Sequence, residues 1–175
     1  MPRKPGQYDR IMAMADRLGW TRTGDGDLAF EWDVPGTDTS VAWERDPDTH
    51  VEYFAVVGPD RDRVAAEIAD AIDLLGVDDF ESHVARSTSV NWMIPALYQV
   101  ATAAPLAYDP RVAALMDRYM DSSDLLIRRV AILAASFTGW PEFVEPIRRF
   151  LSDPDVDVRV AAEAALRDLS DELTR

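Results

Sequence analysis

The chain contains no cysteine. Disulfides, thiolate metal sites and a cysteine nucleophile are therefore excluded. Histidine is scarce as well. His50 and His83 are the only two in 175 residues, and they form neither a His-Glu-x-x-His pattern nor any other two-histidine metal spacing. Both are expected at the surface. Lys4 is the only lysine among 18 basic residues, and 32 acidic residues bring the net charge to −14. Residues 1–76 hold 8 basic and 16 acidic side chains; residues 77–175 hold 10 and 16. Neither part has the charge balance of a nucleic-acid binder, which gains from phosphate contacts and counterion release. Long apolar runs are also missing: Arg, Asp or Pro interrupts each well short of a membrane span. The basic start Met1-Pro2-Arg3-Lys4-Pro5-Gly6 has no apolar segment behind it, so no secretory signal and a cytoplasmic location are expected. No nucleophile-elbow, phosphate-loop or dinucleotide-binding pattern is present. The expectation is a protein with no catalytic residue, no cofactor and no metal.

Two acidic patterns need a closer look. Asp153, Asp155 and Asp157 open like a calcium loop. Its sixth position is Val158, where Gly is required, and its twelfth is Ala164, where Glu is required. An acidic helix start, favoured by the helix dipole, accounts for the run. The doublets Asp25/Asp27 and Asp60/Asp62 lie in turns or helix starts, where capping is their expected work.

The first 76 residues read as helix, three strands, helix. Tyr8, Ile11, Met12, Ala15 and Leu18 form one helical face, and Gly19 suits the left-handed position after it. Thr23-Gly24-Asp25-Gly26 reads as a turn. Three runs of period two follow: Leu28–Asp33, Val41–Glu44 and Val51–Val57. One polar face per strand indicates an antiparallel sheet covered on one side. The connections 34–38 and 46–49 are short enough for hairpins. The third run is apolar on both faces and is expected to be the most covered strand. Pro59-Asp60 opens a second helix carrying Val64, Ile68, Ile72 and Leu75, with Gly76 as its stop.

From residue 77 the pattern is helical throughout, with candidates at 78–87, 91–104, 110–121, 124–137, 141–152 and 155–172. Here the chain repeats itself with a period of 31 residues. Pro141 falls on Pro110, Arg149 on Arg118, Phe150 on Tyr119, Asp155 on Asp124, Val158 on Ile127, Arg159 on Arg128, Ala162 on Ala131 and Ala165 on Ala134. The unit at 91–104 is degraded: Leu97 replaces the Arg and only the small tail Ala101–Ala104 is kept. The five tryptophans are expected in the core: Trp32 and Trp43 as a cross-strand pair, Trp20 and Trp140 at helix ends, Trp92 at a helix start.

Residues 153–166, an Asp-Pro turn followed by Val-Arg and small residues at core spacing, resemble the second helix of a HEAT-like repeat of the phycocyanobilin-lyase type. The resemblance covers residues 80–172 and does not reach the N-terminal region. It implies an all-α HEAT-like solenoid of about three helix pairs over 77–175; with the α-β-β-β-α layer read from the patterns of 1–76 and expected to cap it, the fold class expected is α+β. It also implies that Arg128 and Arg159 are structural, bridging carboxylates of neighbouring repeats.

In such stacks the second helices line the concave face, where partners bind. Helical phase puts Ile127, Ala131 and Ala134 inward, and Arg129, Ile132 and Ser136 outward. Their repeat equivalents are Val160, Glu163 and Arg167 after, and Tyr98 and Ala101 before. This stripe is less charged than the protein around it, as an interface core is. The expected function is a non-enzymatic module that binds another protein, a basic one being favoured by the charge, with no role for nucleic acid or membrane. Charge reversal at Arg129 with Ile132→Asp is expected to abolish capture at unchanged stability. One alternative is an acidic immunity protein that neutralises a basic toxin or nuclease. The other is a HEAT-like enzyme, a bilin lyase or a DNA glycosylase, disfavoured by the charge and the missing motifs.

Overall fold

A computed structural model describes residues 7–25, 29–45, 51–87 and 89–172. Leu28, Asp27, the connection at 46–49 and His50 lie outside the described residues. The chain is of the α+β class and divides into two compact units, Met1–Leu75 and Gly76–Arg175.

In the first unit, helix α1 (Tyr8–Leu18) is followed by strands β1 (Thr21–Asp25), β2 (Ala29–Asp33), β3 (Ser40–Arg45) and β4 (Glu52–Val57), then helix α2 (Arg61–Ala71). Gly19, at φ 68°, ends α1. Its N–H donates to Asp16 and that of Trp20 to Ala15, which satisfies two of the helix's last carbonyls. The strands form an antiparallel sheet in the order β1-β2-β3-β4. Strand register puts Phe30 opposite Trp43, Trp32 opposite Val41, Trp43 opposite Phe54 and Val41 opposite Val56. These residues share one face, where Ile11, Met14 and Ala15 of α1 and Val64 and Ile68 of α2 complete the core.

Three expectations change here. The sheet has four strands, because the Thr-Gly-Asp segment is β1 and not a turn. Its glycine sits at a bulge between Arg22 and Gly24, where an added Cβ would come within 2.9 Å of Glu31 Oε2. Glycine in a strand marks such close approaches as often as it marks turns. Trp32 and Trp43 are both buried but are not paired with each other; Trp43 stacks on Phe30 instead. The doubly apolar β4 is an edge strand, and its terminal Val57 is 68% exposed. Beside it, Tyr53 Oη of β4 donates to Glu44 Oε2 of β3 at 2.7 Å.

Helix α2 stops at Ala71, one turn before Gly76, and Ile72 turns extended. Ile72 and Leu75 remain buried, so the apolar face predicted for the helix is kept while its backbone changes. Asp60 does not cap α2 with its side chain; it pairs with Arg63 at 3.2 Å, and its N–H donates to Thr39 Oγ1. That bond ties α2 to the β2–β3 connection, against which Gly58, just after β4, is pressed: its φ of 134° and its proximity to Asp38 leave no room for a Cβ.

The second unit contains α3 (Val77–Ala85), α4 (Val90–Thr102), α5 (Pro110–Met120), α6 (Leu125–Ser136), α7 (Val144–Arg148) and α8 (Val156–Glu172). Single 3₁₀ turns, Pro141–Phe143 and Arg149–Ser152, extend α7 at both ends. Helix α6 lies between α4 and α8 and also packs on α5, while α7 packs on α8. Ala131, Ala134, Ala162 and Ala165 are fully buried, and their small size lets these helices approach closely. Ile147, Met116, Met120, Leu97 and Leu169 fill the space between.

Candidate functional site

The 31-residue repeat is written into the hydrogen bonds of the second unit. Asp124 caps α6 by accepting the N–H groups of Leu126 (2.9 Å) and Ile127 (3.2 Å). Asp155 caps α8 identically, from Asp157 (2.9 Å) and Val158 (3.2 Å). Arg128 reaches back to the carbonyl of Ser122 at 3.2 Å, and Arg159 to that of Asp153 at 2.7 Å. The aromatic that follows each arginine of the first helices lies under its guanidinium: Tyr119 under Arg118 and Phe150 under Arg149. Each side chain therefore does one local job in both units, which is why the residue types recur. The carboxylates of the calcium-like run are engaged in this way too, since Asp153 accepts the N–H of Asp155.

Two contacts join α6 to the segment beginning α8. Arg128 Nε lies 3.6 Å from Asp153 Oδ2, both half-buried or better, and Arg129 Nη1 lies 3.3 Å from Asp157 Oδ2. They fix which side of α6 faces α8. On the other side, Tyr98 of α4 meets Phe137 edge-to-face, with ring centroids 5.4 Å apart.

With neighbours on three sides, α6 keeps only a narrow arc open to solvent. Ile132 is fully buried and Ser136 is 4% exposed, its hydroxyl donating to Leu133 O. Both were expected outward; they belong to the seam that α8 covers. Arg129 is half-exposed but neutralised by Asp157, so the stripe carries less free positive charge than the sequence implies. Val160, Glu163 and Arg167 are exposed, as expected, and Tyr98 is half-exposed. Ala101 is buried.

Along α6, Leu125, Leu126 and Phe137 are exposed, and Arg129 and Leu133 are half-exposed. Phe137 is 61% exposed and Val160 56%. Repeat spacing aligns Leu106, Phe137 and Asp168 in one row, and Tyr98, Arg129 and Val160 in the next. The sequence reading missed Leu133, Phe137 and Leu106. Leu133 and Phe137 follow Arg129 at successive spacings of four, and Leu106 lies one repeat before Phe137. Helix α4 contributes no charged residue.

Elsewhere in this unit, a groove of about 550 Å³ runs between α3 and α5 over Phe80, Val112 and Leu115. Two arginines cross it, Arg111 to Asp78 at 2.6 Å and Arg118 to Glu81 at 3.0 Å. Arg111 also holds the Asp109 carboxyl below the usual carboxylate range, first by its side-chain hydrogen bond and then through its backbone N–H. Both guanidinium groups are thus engaged by carboxylates of the same fold. His83 is half-buried rather than at the surface, with Nε2 2.5 Å from Gln99 Oε1. Trp140 is buried, as expected, and donates from Nε1 to Pro105 O; Trp92, expected in the core, is 70% exposed. Among the described residues no helix is long and apolar enough to cross a membrane.

No protein-family model, no curated protein and no solved structure matches the chain.

Proposed function

We propose that the second unit is a short HEAT-like stack and a non-enzymatic, cytoplasmic protein-binding module, whose partner lies across the exposed rows of α4, α6 and α8. The observation that carries this reading is the exposure of Phe137 and Val160, with Tyr98, Leu126 and Leu133 at least half-exposed, on helices whose Ala131, Ala134, Ala162 and Ala165 are fully buried. Large apolar groups gathered on one face of an otherwise charged protein are characteristic of interaction sites. Aromatic anchors ringed by polar groups are where binding energy concentrates. The chemistry favoured in a partner is a segment presenting aliphatic or aromatic side chains to Phe137 and Tyr98. Arg129 and Asp157 offer each other's charge at the rim.

The test is affinity capture from the native host with wild type and with the pair Phe137→Asp and Val160→Asp. Both positions are exposed, so the melting temperature should stay within about 3 °C while the captured protein is lost. Capture retained at full yield by the pair would refute this face as the site.

The net charge of −14 favours a second reading on the same protein, inhibition of a basic toxin or nuclease. Electrostatic steering would then dominate the association rate. That reading requires association that slows strongly between low and physiological salt, whereas an apolar face predicts little change.

A further inference from the structure

The two edges of the sheet are finished differently. Strand β1 has a bulge between Arg22 and Gly24, and Thr21, Arg22 and Thr23 are exposed along it. Bulges and charged side chains keep another strand off an edge. Strand β4 is built otherwise. Its six residues keep unbroken register with β3, and Glu52, at its start, is its only charged residue. Phe54 and Val56 pack on the core, so Tyr53, Ala55 and Val57 fall on the opposite face. Among the described residues no strand lies beyond β4. A regular, apolar edge of this length is a template for one more strand.

We propose that this edge pairs with the β4 edge of a second copy of the chain, antiparallel about a two-fold axis at Ala55. That register sets Phe54 opposite Val56 of the other copy on the core face. It sets Tyr53 opposite Val57 of the other copy on the outer face, where Val57 is 68% exposed. Aromatic and β-branched residues directly opposite each other are favourable cross-strand pairs, and the two-fold axis makes each pair twice. The charges are complementary as well. Glu52 falls opposite Gly58 of the other copy, close to the start of α2. There the Arg61 side chain is 59% exposed and lies 3.5 Å from Asp62. Glu52 Oε2 has no hydrogen-bond partner among the described residues. A Glu52–Arg61 pair between copies, one at each end of the seam, supplies that partner.

The helix above the edge leaves room for the second copy. Val64 and Ile68 form the buried row of α2, and Ala65 and Ala71 flank that row on opposite sides. Ala71 shares a hollow of about 260 Å³ with Arg10, Ala13, Met14 and Arg17, so α1 runs along that side. Ala65 and Ala69 face the other way, toward the open edge, and both are exposed. Their small side chains let α2 of one copy approach α2 of the other. The net charge of −14 on each copy is no bar, because charges more than about 8 Å apart are largely screened at physiological salt. With β1 blunted, the pairing closes at a dimer and does not run on. This edge lies in the first unit, and the inference is independent of the face proposed on α4, α6 and α8.

Sedimentation velocity of the full chain over a range of concentrations tests the pairing. Wild type should rise to twice the monomer mass and stop there. Ala55→Lys puts like charges opposite each other at the axis and should weaken association about tenfold or more, with the circular dichroism spectrum unchanged. A second measurement uses the absence of cysteine from the chain. Residues directly opposite in an antiparallel pair have Cα atoms about 4.5–5.5 Å apart, within disulfide reach. Ala55→Cys should therefore give a disulfide-linked dimer under mild oxidation, and Thr23→Cys on β1 should not. Wild type that stays monomeric at every concentration would overturn the proposal. So would a dimer that Ala55→Lys leaves intact, or equal cross-linking by the two cysteine variants.

Discussion

Ile132→Asp separates the buried seam from the exposed face most sharply. Helical phase alone makes Ile132 a surface residue, and the variant would then be harmless to stability. In the structure its side chain is fully buried, one turn along α6 from Arg128 and Arg129, which reach the segment beginning α8. Removing it from apolar surroundings costs about 2–3 kcal/mol. The carboxylate placed there would have to compete with Asp153 and Asp157 for Arg128 and Arg129, which already lie against them. Burying it unpaired, or protonating it to avoid that, adds about 2 kcal/mol or more. The total of about 4–5 kcal/mol is a large share of the roughly 5–15 kcal/mol that holds a domain together. For a unit of this size it corresponds to a melting point lowered by about 15 °C or more. Far-UV circular dichroism melts measure this directly. Ile132→Ala should fall between the variant and wild type, at about 2–4 kcal/mol. Glu163→Ala, the repeat-equivalent position on α8, should change stability by less than about 0.5 kcal/mol. An Ile132→Asp protein melting within about 2 °C of wild type would refute the seam.

Two further outcomes follow from local geometry. Burial pushes the Asp117 carboxyl above its ordinary range, with Arg149 opposing and Asp121 reinforcing the shift. A raised folded-state value means that this group's contribution is fully present below the unfolded carboxylate range and is lost as pH rises through it. Asp117→Asn should therefore be more stable than wild type at neutral pH, and urea titrations should show the gap closing as pH falls toward about 4 and absent below it. Gly58→Ala should cost about 3 kcal/mol or more, because its Cβ would sit 2.5 Å from Asp38 O at a φ of 134°; a cost under about 1 kcal/mol in a urea melt would show that the β2–β3 connection yields.

Much of this architecture is legible in the residues. Apart from α7, whose predicted span 141–152 is part 3₁₀ turn, the helices of the second unit begin and end within two residues of their predicted bounds, and Asp109, Asp124 and Asp155 are caps in fact as well as in type. Gly19 ends α1 for the conformational reason its type implies. What escaped the sequence depends on neighbours. Strand β4 looks central because both its faces are apolar, yet strand order is a property of the whole sheet, not of one strand. Strand β1 was hidden because a glycine at a bulge and a glycine in a turn are the same letter. The candidate stripe failed at Ile132 and Ser136 because a helix flanked on three sides exposes so narrow an arc that an error of one position moves a residue from surface to seam. On α8, where that seam is uncovered, the same phase gave exposed residues at Val160, Glu163 and Arg167.

Hydrogen–deuterium exchange of the chain with and without its captured partner tests the central claim most directly. The account predicts slowed exchange confined to residues 94–106, 126–139 and 156–168, with the strands of the first unit unchanged. Protection centred on residues 29–57, with those three helical segments unaffected, would contradict it.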